Sequence, residues 1–288
     1  MAQQIPQLLT NGIALGSVIA LSAVGLSLTY GVLRLSNFAH GDYMTMGAYF
    51  TWTLNLMGLN IWLAMVLSAA IMVGFALGAE KLLWGPMRAK RATPTTLVIL
   101  SIGLALFLRN GVILAWGADS HQYKLPVESA LNLGLVKLPF NNFLVILLAL
   151  GAIALLRYIL QNTKVGKAMR AVADDVDLAR VTGINVERVV LWTWVIAAGL
   201  TALGGSMLGL VEAVRPNMGW FLILPLFAAV TLGGIGNPYG AIAGAFVIGI
   251  AQEMSTLFLP VEYKTAVALL IMMLVLLVKP QGLFRGMM

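Results

Sequence analysis

The chain has no cysteine, only two histidines and little charge, with Lys, Arg, Asp and Glu together making up 10% of its 288 residues. The missing cysteine excludes disulfides, thiolate nucleophiles and thiolate-bound metals, and leaves the compartment open. His40 and His121 are too few for a zinc protease site, and no HExxH motif occurs. No GxxxxGK[ST] segment is present either, so the chain is not by itself an ATPase of the phosphate-loop class. Gly204-Gly205-Ser206-Met207 has the look of a serine-protease turn, but no histidine follows it to serve as the base.

What the chain does have is apolar surface. Hydrophobic residues make up 60% of it and the mean hydropathy is +0.93, whereas soluble domains are about 25% charged. A bilayer is the solvent that such a composition fits. At about 20 apolar residues per crossing, 288 residues leave room for roughly eight to ten helical spans. The apolar runs are long and continuous and lack the alternation of barrel strands, so the expected fold is an all-α polytopic helical bundle. We read residues 1–288 as a single transmembrane domain.

Apolar segments are expected at 8–33, 43–57, 61–80, 95–116, 142–160, 189–211, 220–233, 240–258 and 264–279, about eight or nine of them spanning. The second and seventh are short and lie beside breaks, which makes each a span, a half-helix or a re-entrant segment. The first run is too long for a cleaved signal and has no basic residue before it, so it reads as a retained span. If the N-terminus is outside and every segment crosses, thirteen of the 18 basic residues fall in the cytoplasm, Arg285 among them, as does the C-terminus. Four lie outside, at Lys124, Lys137, Arg215 and Lys264, and Arg109 sits within a span. That asymmetry has the sign of the positive-inside rule and accounts for the net charge of +7 better than a nucleic-acid partner does. Glycine pairs four apart, Gly12/Gly16, Gly74/Gly78, Gly205/Gly209 and Gly240/Gly244, imply close helix packing.

One polar island interrupts this pattern. Between about 161 and 188, with Arg157 at its edge, ten charged side chains gather, from a chain holding only 18 basic and 11 acidic ones. Asp174 and Asp175 can cap a short helix, Asp177 suits its first turn, Arg180 its last, and Gly183 the C′ position that ends it. Ala171, Val172, Leu178, Ala179, Val181 and Ile184 offer an apolar contact. The segment is either a solvated loop that obeys the positive-inside rule or a docking element on the cytoplasmic face.

Two further features carry potential chemistry. Arg109 and Glu253 are ionisable groups inside spans, which belong to a substrate path or to packing pairs with amides such as Asn110 and Gln252. The breaks at Asn37–Asp42, which cluster His40, Gly41 and Asp42, and at Thr231–Tyr239, with Gly233 and Gly234, leave backbone groups that protein or a water-filled cavity must satisfy. Such breaks bind small polar substrates in transporters, or are ordinary turns at the membrane surface.

Four ordered motifs now become legible. Gly25 to Asp42 reads GLSLTYGVLRLSNFAHGD and is followed by MGAY at 46–49; GKAMRAVADD occupies 166–175, running on to Ala179 and Gly183; TLGGIGNPYG occupies 231–240; KPQGLF closes the chain at 279–284. In order and spacing these resemble the permease subunits of bacterial branched-chain and neutral amino-acid ABC importers, the LivH-type member of the permease pair. The resemblance covers nearly the whole chain. It implies a multi-pass protein of the bacterial inner membrane that is not an enzyme, working with a second related permease, two cytoplasmic ATPases and a periplasmic binding protein. ATP and magnesium would then be bound by the ATPases, and no cofactor by this chain. The resemblance makes the island a coupling segment seated in a groove of an ATPase, with Arg170, Asp174, Asp175, Ala179 and Gly183 as its coupling residues. Asn37, His40, Gly41, Asp42, Arg109, Thr231, Gly233, Gly234 and Glu253 are the expected translocation-pathway residues. A urea or short-amide importer shares these motifs and is the alternative within the family, and an ion-coupled secondary transporter or channel is the alternative outside it.

Overall fold

The computed structural model describes residues 4–125, 131–132, 137–279 and 281–284. Pro280 of the closing motif and Arg285 of the charge count lie outside the described residues. The helices run in the order α1 (Ile5–Leu33), α2 (His40–Leu56), α3 (Ile61–Ala79), α4 (Gly85–Ala89), α5 (Pro94–Trp116), α6 (Phe140–Asn162), α7 (Lys164–Asp174), α8 (Val176–Val181), α9 (Val186–Val211), α10 (Met218–Gly233), α11 (Pro238–Ser255) and α12 (Lys264–Val278). Two two-residue strands, β1 (Leu131–Asn132) and β2 (Lys137–Leu138), pair antiparallel.

The helix starts are written in local chemistry. Asn60, Thr93, Asn185 and Asn237 each accept a backbone N–H of the first turn that follows, at 2.9–3.2 Å. Prolines at the first positions of α5 and α11 cost no hydrogen bond there. Among the described residues, six helical segments are long and apolar enough to cross a bilayer. α2 and α10, with 17 and 16 residues, are shorter than these, and α11 has 18.

The third segment differs from expectation. It does not stop at residue 80 but passes through a wide π-helical turn, Glu80–Trp84, into α4. Glu80 explains the continuation. Its carboxylate is paired with Arg88, eight residues further on, and accepts Trp194 Nε1 of α9 at 2.7 Å, so the charge is satisfied inside the protein.

α1 is the central post: 89% of its most apolar window is buried, against 6% for the last helical segment, which makes α12 peripheral. α1 packs on α11 and α9, while α10 packs on α11, α12 and α2. Three of the four glycine pairs sit in such contacts, Gly12/Gly16 against α11, Gly205/Gly209 against Met44 of α2 and Tyr123, and Gly240/Gly244 against α10. Gly74/Gly78 do not, since a Cβ on either would meet nothing within 4 Å.

Candidate functional site

The first break returns the chain to the interior. α1 ends at Leu33, yet the His40 ring that opens α2 lies against Ser22 and Gly25, eight to eleven residues earlier on α1. At 1.5 Å per residue that is about 12–16 Å back along the axis, roughly half a hydrocarbon layer. Residues 34–37 are irregular and carry the climb. The backbone groups freed by the break find side chains: Ser101 of α5 accepts Phe38 N–H at 3.1 Å, and Asn37 Oδ1 accepts Ala39 N–H at 3.1 Å. α2 therefore starts deep in the protein and is a half-helix.

Its first turn carries the polar residues. His40 Nε2 is 2.8 Å from the Ser22 carbonyl and 2.9 Å from Thr201 Oγ1. A carbonyl only accepts, so Nε2 holds the proton, and Thr201 turns its own proton to the Ala197 carbonyl at 2.6 Å. Asp42 is 1% exposed and meets Arg109 of α5 through both oxygens, at 3.2 Å to Nε and 3.3 Å to Nη2. This two-point geometry neutralises a carboxylate that could not be buried alone. The Arg109 guanidinium also lies 4.2 Å from the centroid of the Trp220 ring. Arg109 thus pairs with a residue 67 positions away and not with Asn110, whose amide turns to the Leu106 carbonyl of its own helix.

α10 begins beside this turn. Gly219 donates its N–H to Thr45 Oγ1 at 3.1 Å, and the Gly41 and Gly219 backbones lie so close that a Cβ on either would overlap the other's carbonyl. The Phe38 and Phe227 rings lie 4.8 Å apart between centroids and tilted by 38°, so α10 runs from the Gly41 contact back past the first break. Two half-helices therefore meet by their first turns in the interior, and the irregular segments 34–37 and 212–217 enter from opposite ends.

The remaining pathway candidates lie elsewhere. Gly233 ends α10, about 21 Å along its axis from Gly219. Thr231, Gly233 and Gly234 form a tight turn with Gly240, and residues 282–283 lie over it, Leu283 N–H donating to the Leu232 carbonyl at 2.8 Å. The second break is thus a closed turn, and the segment that enters the interior ahead of α10 is 212–217. Glu253, near the opposite end of α11, pairs with Lys264 Nζ at 2.5 Å and not with an amide. Both line a cleft of about 390 Å³, bounded by α1, the end of α9, segment 212–217, the first turns of α10, and the facing ends of α11 and α12.

The polar island folds as two helices. Asp175 is the cap of α8, its Oδ1 accepting Leu178 N–H at 2.9 Å, and Asp174 is not a cap but the last residue of α7. Gly183 has φ +86 and donates to the Arg180 carbonyl, while Ile184 N–H returns to the Ala179 carbonyl, closing the helix at a position where a side chain is strained. Asp177 and Arg180 form an exposed pair at 3.7 Å that adds little. Ala179 is 3% exposed and anchors α8 to the bundle, whereas Leu178 and Val181 are 61% and 85% exposed. Arg170 donates to the Leu160 carbonyl of α6, and Arg34, at the root of the first break, donates to the Ala173 carbonyl of α7 at 3.2 Å.

Residues 8–276 match the family model described as branched-chain amino acid transport system / permease component. The chain belongs to this family. It is 33% identical over 296 residues to the high-affinity branched-chain amino acid transport system permease protein LivH of Escherichia coli (strain K12), covering 96% of this chain and 94% of the relative. It is 32% identical over 297 residues to the corresponding protein BraD of Pseudomonas aeruginosa, with the same coverage. A shorter match, 31% over 105 residues and 34% of this chain, is to the fructose import permease protein FrcC of Rhizobium meliloti. The protein is a multi-pass membrane permease.

Several residues of this permease's interior escaped the sequence reading. Ser101, Thr201 and Thr45 look like ordinary polar residues in spans, and only their meeting with the first break gives them a role. Trp220 and segment 212–217 carried no local signal. α7 did carry one: Val165, Met169 and Val172 recur at helical spacing behind Thr163, whose Oγ1 accepts Gly166 N–H at 3.1 Å.

Proposed function

We propose that this permease is one of two related membrane subunits of an ATP-driven importer that moves branched-chain or other neutral amino acids across the bacterial inner membrane. Residues 1–288 form one permease domain, with its N-terminus outside, its C-terminus in the cytoplasm, and 161–188 as the cytoplasmic coupling segment. Two ATPase subunits bind ATP and magnesium, and a periplasmic binding protein delivers the amino acid. Asn37, His40, Gly41, Asp42 and Arg109 form the central constriction of the pathway, Thr231, Gly233 and Gly234 its inner end, and Glu253 its outer mouth.

The observation that carries this reading is the α7–α8 pair. α8 is anchored at Ala179 yet presents Leu178 and Val181, with Asp174, Asp175 and Arg180 exposed around them, a small apolar contact ringed by charge. Movement pressed onto α8 reaches α7, and α7 is tied to α6 through Arg170 and to the first break through Arg34. A partner closing on α8 therefore pulls on the segment that leads to His40 and Asp42.

Gly183→Pro removes the φ +86 conformation that ends α8, since proline holds φ near −65°. Asp175→Lys removes its cap and places positive charge at the helix start, where the dipole opposes it. In the complete assembly of two permeases, two ATPases and the binding protein, each substitution is expected to lower uptake about tenfold or more per ATP hydrolysed, while membrane insertion is unchanged. Wild-type coupling in both variants rules out the docking role, and ion-driven uptake by this chain alone overturns the importer reading.

The orientation has its own test. Because the parent has no cysteine, Lys164→Cys in intact cells is expected to resist an impermeant thiol reagent and to react once the membrane is opened. Reaction from outside alone inverts the topology.

A further inference from the structure

Resting on the proposed amino-acid import, we propose that the cleft at Glu253 is a binding site for an α-amino acid zwitterion with an aliphatic side chain, occupied after release from the binding protein and before passage through the interior. The cleft holds complementary groups that the fold leaves unused. Glu253 and Lys264 neutralise one another at 2.5 Å. Arg215 and Glu212, which also line the cleft, make no side-chain hydrogen bond or ion pair among the described residues. A separate observation points the same way. Gln252 is 3% exposed; its Nε2 donates to the Lys264 carbonyl at 3.3 Å, which fixes the amide orientation and leaves Oε1 as a buried acceptor with no partner among the described residues. A buried carbonyl oxygen without a donor is costly, and a ligand donor relieves it.

The three groups sort by charge. Arg215 is a cation with a fork that matches a carboxylate, and it stands on the segment leading into α10, where the helix dipole favours the same negative charge. Gln252 Oε1 and the Glu212 carboxylate are acceptors suited to an ammonium group. Leu15, Leu222 and Pro225 supply apolar wall, which suits an aliphatic side chain and offers nothing to a sugar's hydroxyls. Met218 lies at the cleft's edge, and the next residue, Gly219, is the one packed on Gly41. Occupancy of the cleft is therefore in direct register with the contact between the two half-helices.

The test uses a single cysteine at exposed Ser120, which lines the cleft. In the reconstituted assembly of both permeases, the ATPases and the binding protein, Ser120→Cys is labelled with an impermeant thiol reagent from the outer side. Saturating leucine is expected to slow labelling severalfold, whereas 3-methylbutylamine, which lacks the carboxylate, and 4-methylpentanoate, which lacks the amine, leave it unchanged. Arg215→Gln and Gln252→Leu are each expected to abolish the protection and to lower maximal uptake about tenfold, with the half-saturating concentration of binding protein unchanged. Equal protection by all three compounds, or protection that survives both substitutions, overturns the site. So does a loss of uptake that extra binding protein restores, which makes the cleft a docking surface for that protein. Amino-acid uptake that is normal in the parent and in both variants overturns the site alone, whereas a parent assembly that moves no amino acid overturns the proposed function along with it.

Discussion

Arg109→Leu is expected to destabilise the permease by about 3–5 kcal/mol, because it leaves Asp42 as an uncompensated charge that is 1% exposed. The carboxylate accepts from both Nε and Nη2, and no second cation reaches it among the described residues. Leucine also removes the guanidinium held over Trp220. The measurement is thermal or denaturant unfolding of the purified protein in detergent, beside the yield of monodisperse material. Arg109→Leu combined with Asp42→Asn is expected to recover most of the loss, since removing both members of a buried pair costs far less than removing one. Arg109→Lys should fall between, because an ammonium keeps the charge but cannot reproduce the planar fork. A double variant no more stable than Arg109→Leu alone would show that the lost pair is not the cause.

Gly219→Leu is expected to be as damaging by a steric route. Any Cβ at this position overlaps the Gly41 carbonyl, and Thr45 Oγ1 holds the Gly219 N–H from the other side. Neither helix can retreat easily, because α2 is backed by α9, where Gly205 lies against Met44, and α10 by α11. Overpacking of this kind costs about 3 kcal/mol or more when backbones have to separate. Loss of stable protein and of uptake together is the expected result. Gly74→Ala is the matched control: nothing lies within 4 Å of its added methyl group, and the helix gains up to about 1 kcal/mol from the better propensity of alanine. Near-normal stability in Gly219→Leu would mean that the two half-helices are not locked at this contact.

Much of the candidate site was legible, but unevenly so. The capped helix at 175–183 depends on residues within one or two turns of each other, and Asp175, Asp177, Arg180 and Gly183 take the places their chemistry suggests. The break at Asn37–Asp42 was visible because a polar cluster has no reason to interrupt an apolar run unless something satisfies it. What satisfies it was not visible, since Ser22, Ser101 and Thr201 come from three other helices. The turn at 231–240 looked equivalent in sequence, yet residues 282–283 cover it. The segment that mirrors the first break, 212–217, has no glycine cluster to announce it.

By itself the sequence determined the solvent, the number and order of the apolar segments, the Asp175 cap and Gly183 end of α8, and the family motifs. Each of these follows from side chains acting on their neighbours or on a uniform bilayer. The tertiary structure alone decided how deep α2 and α10 begin, that Asp42 belongs to Arg109 and Glu253 to Lys264, and that Gly41 faces Gly219. Depth and pairing are set by contacts between segments far apart in the chain. In a bundle whose spans are nearly all equally apolar, hydropathy does not distinguish one neighbour from another; the few buried charges, hydroxyls and glycines do, and only once they meet.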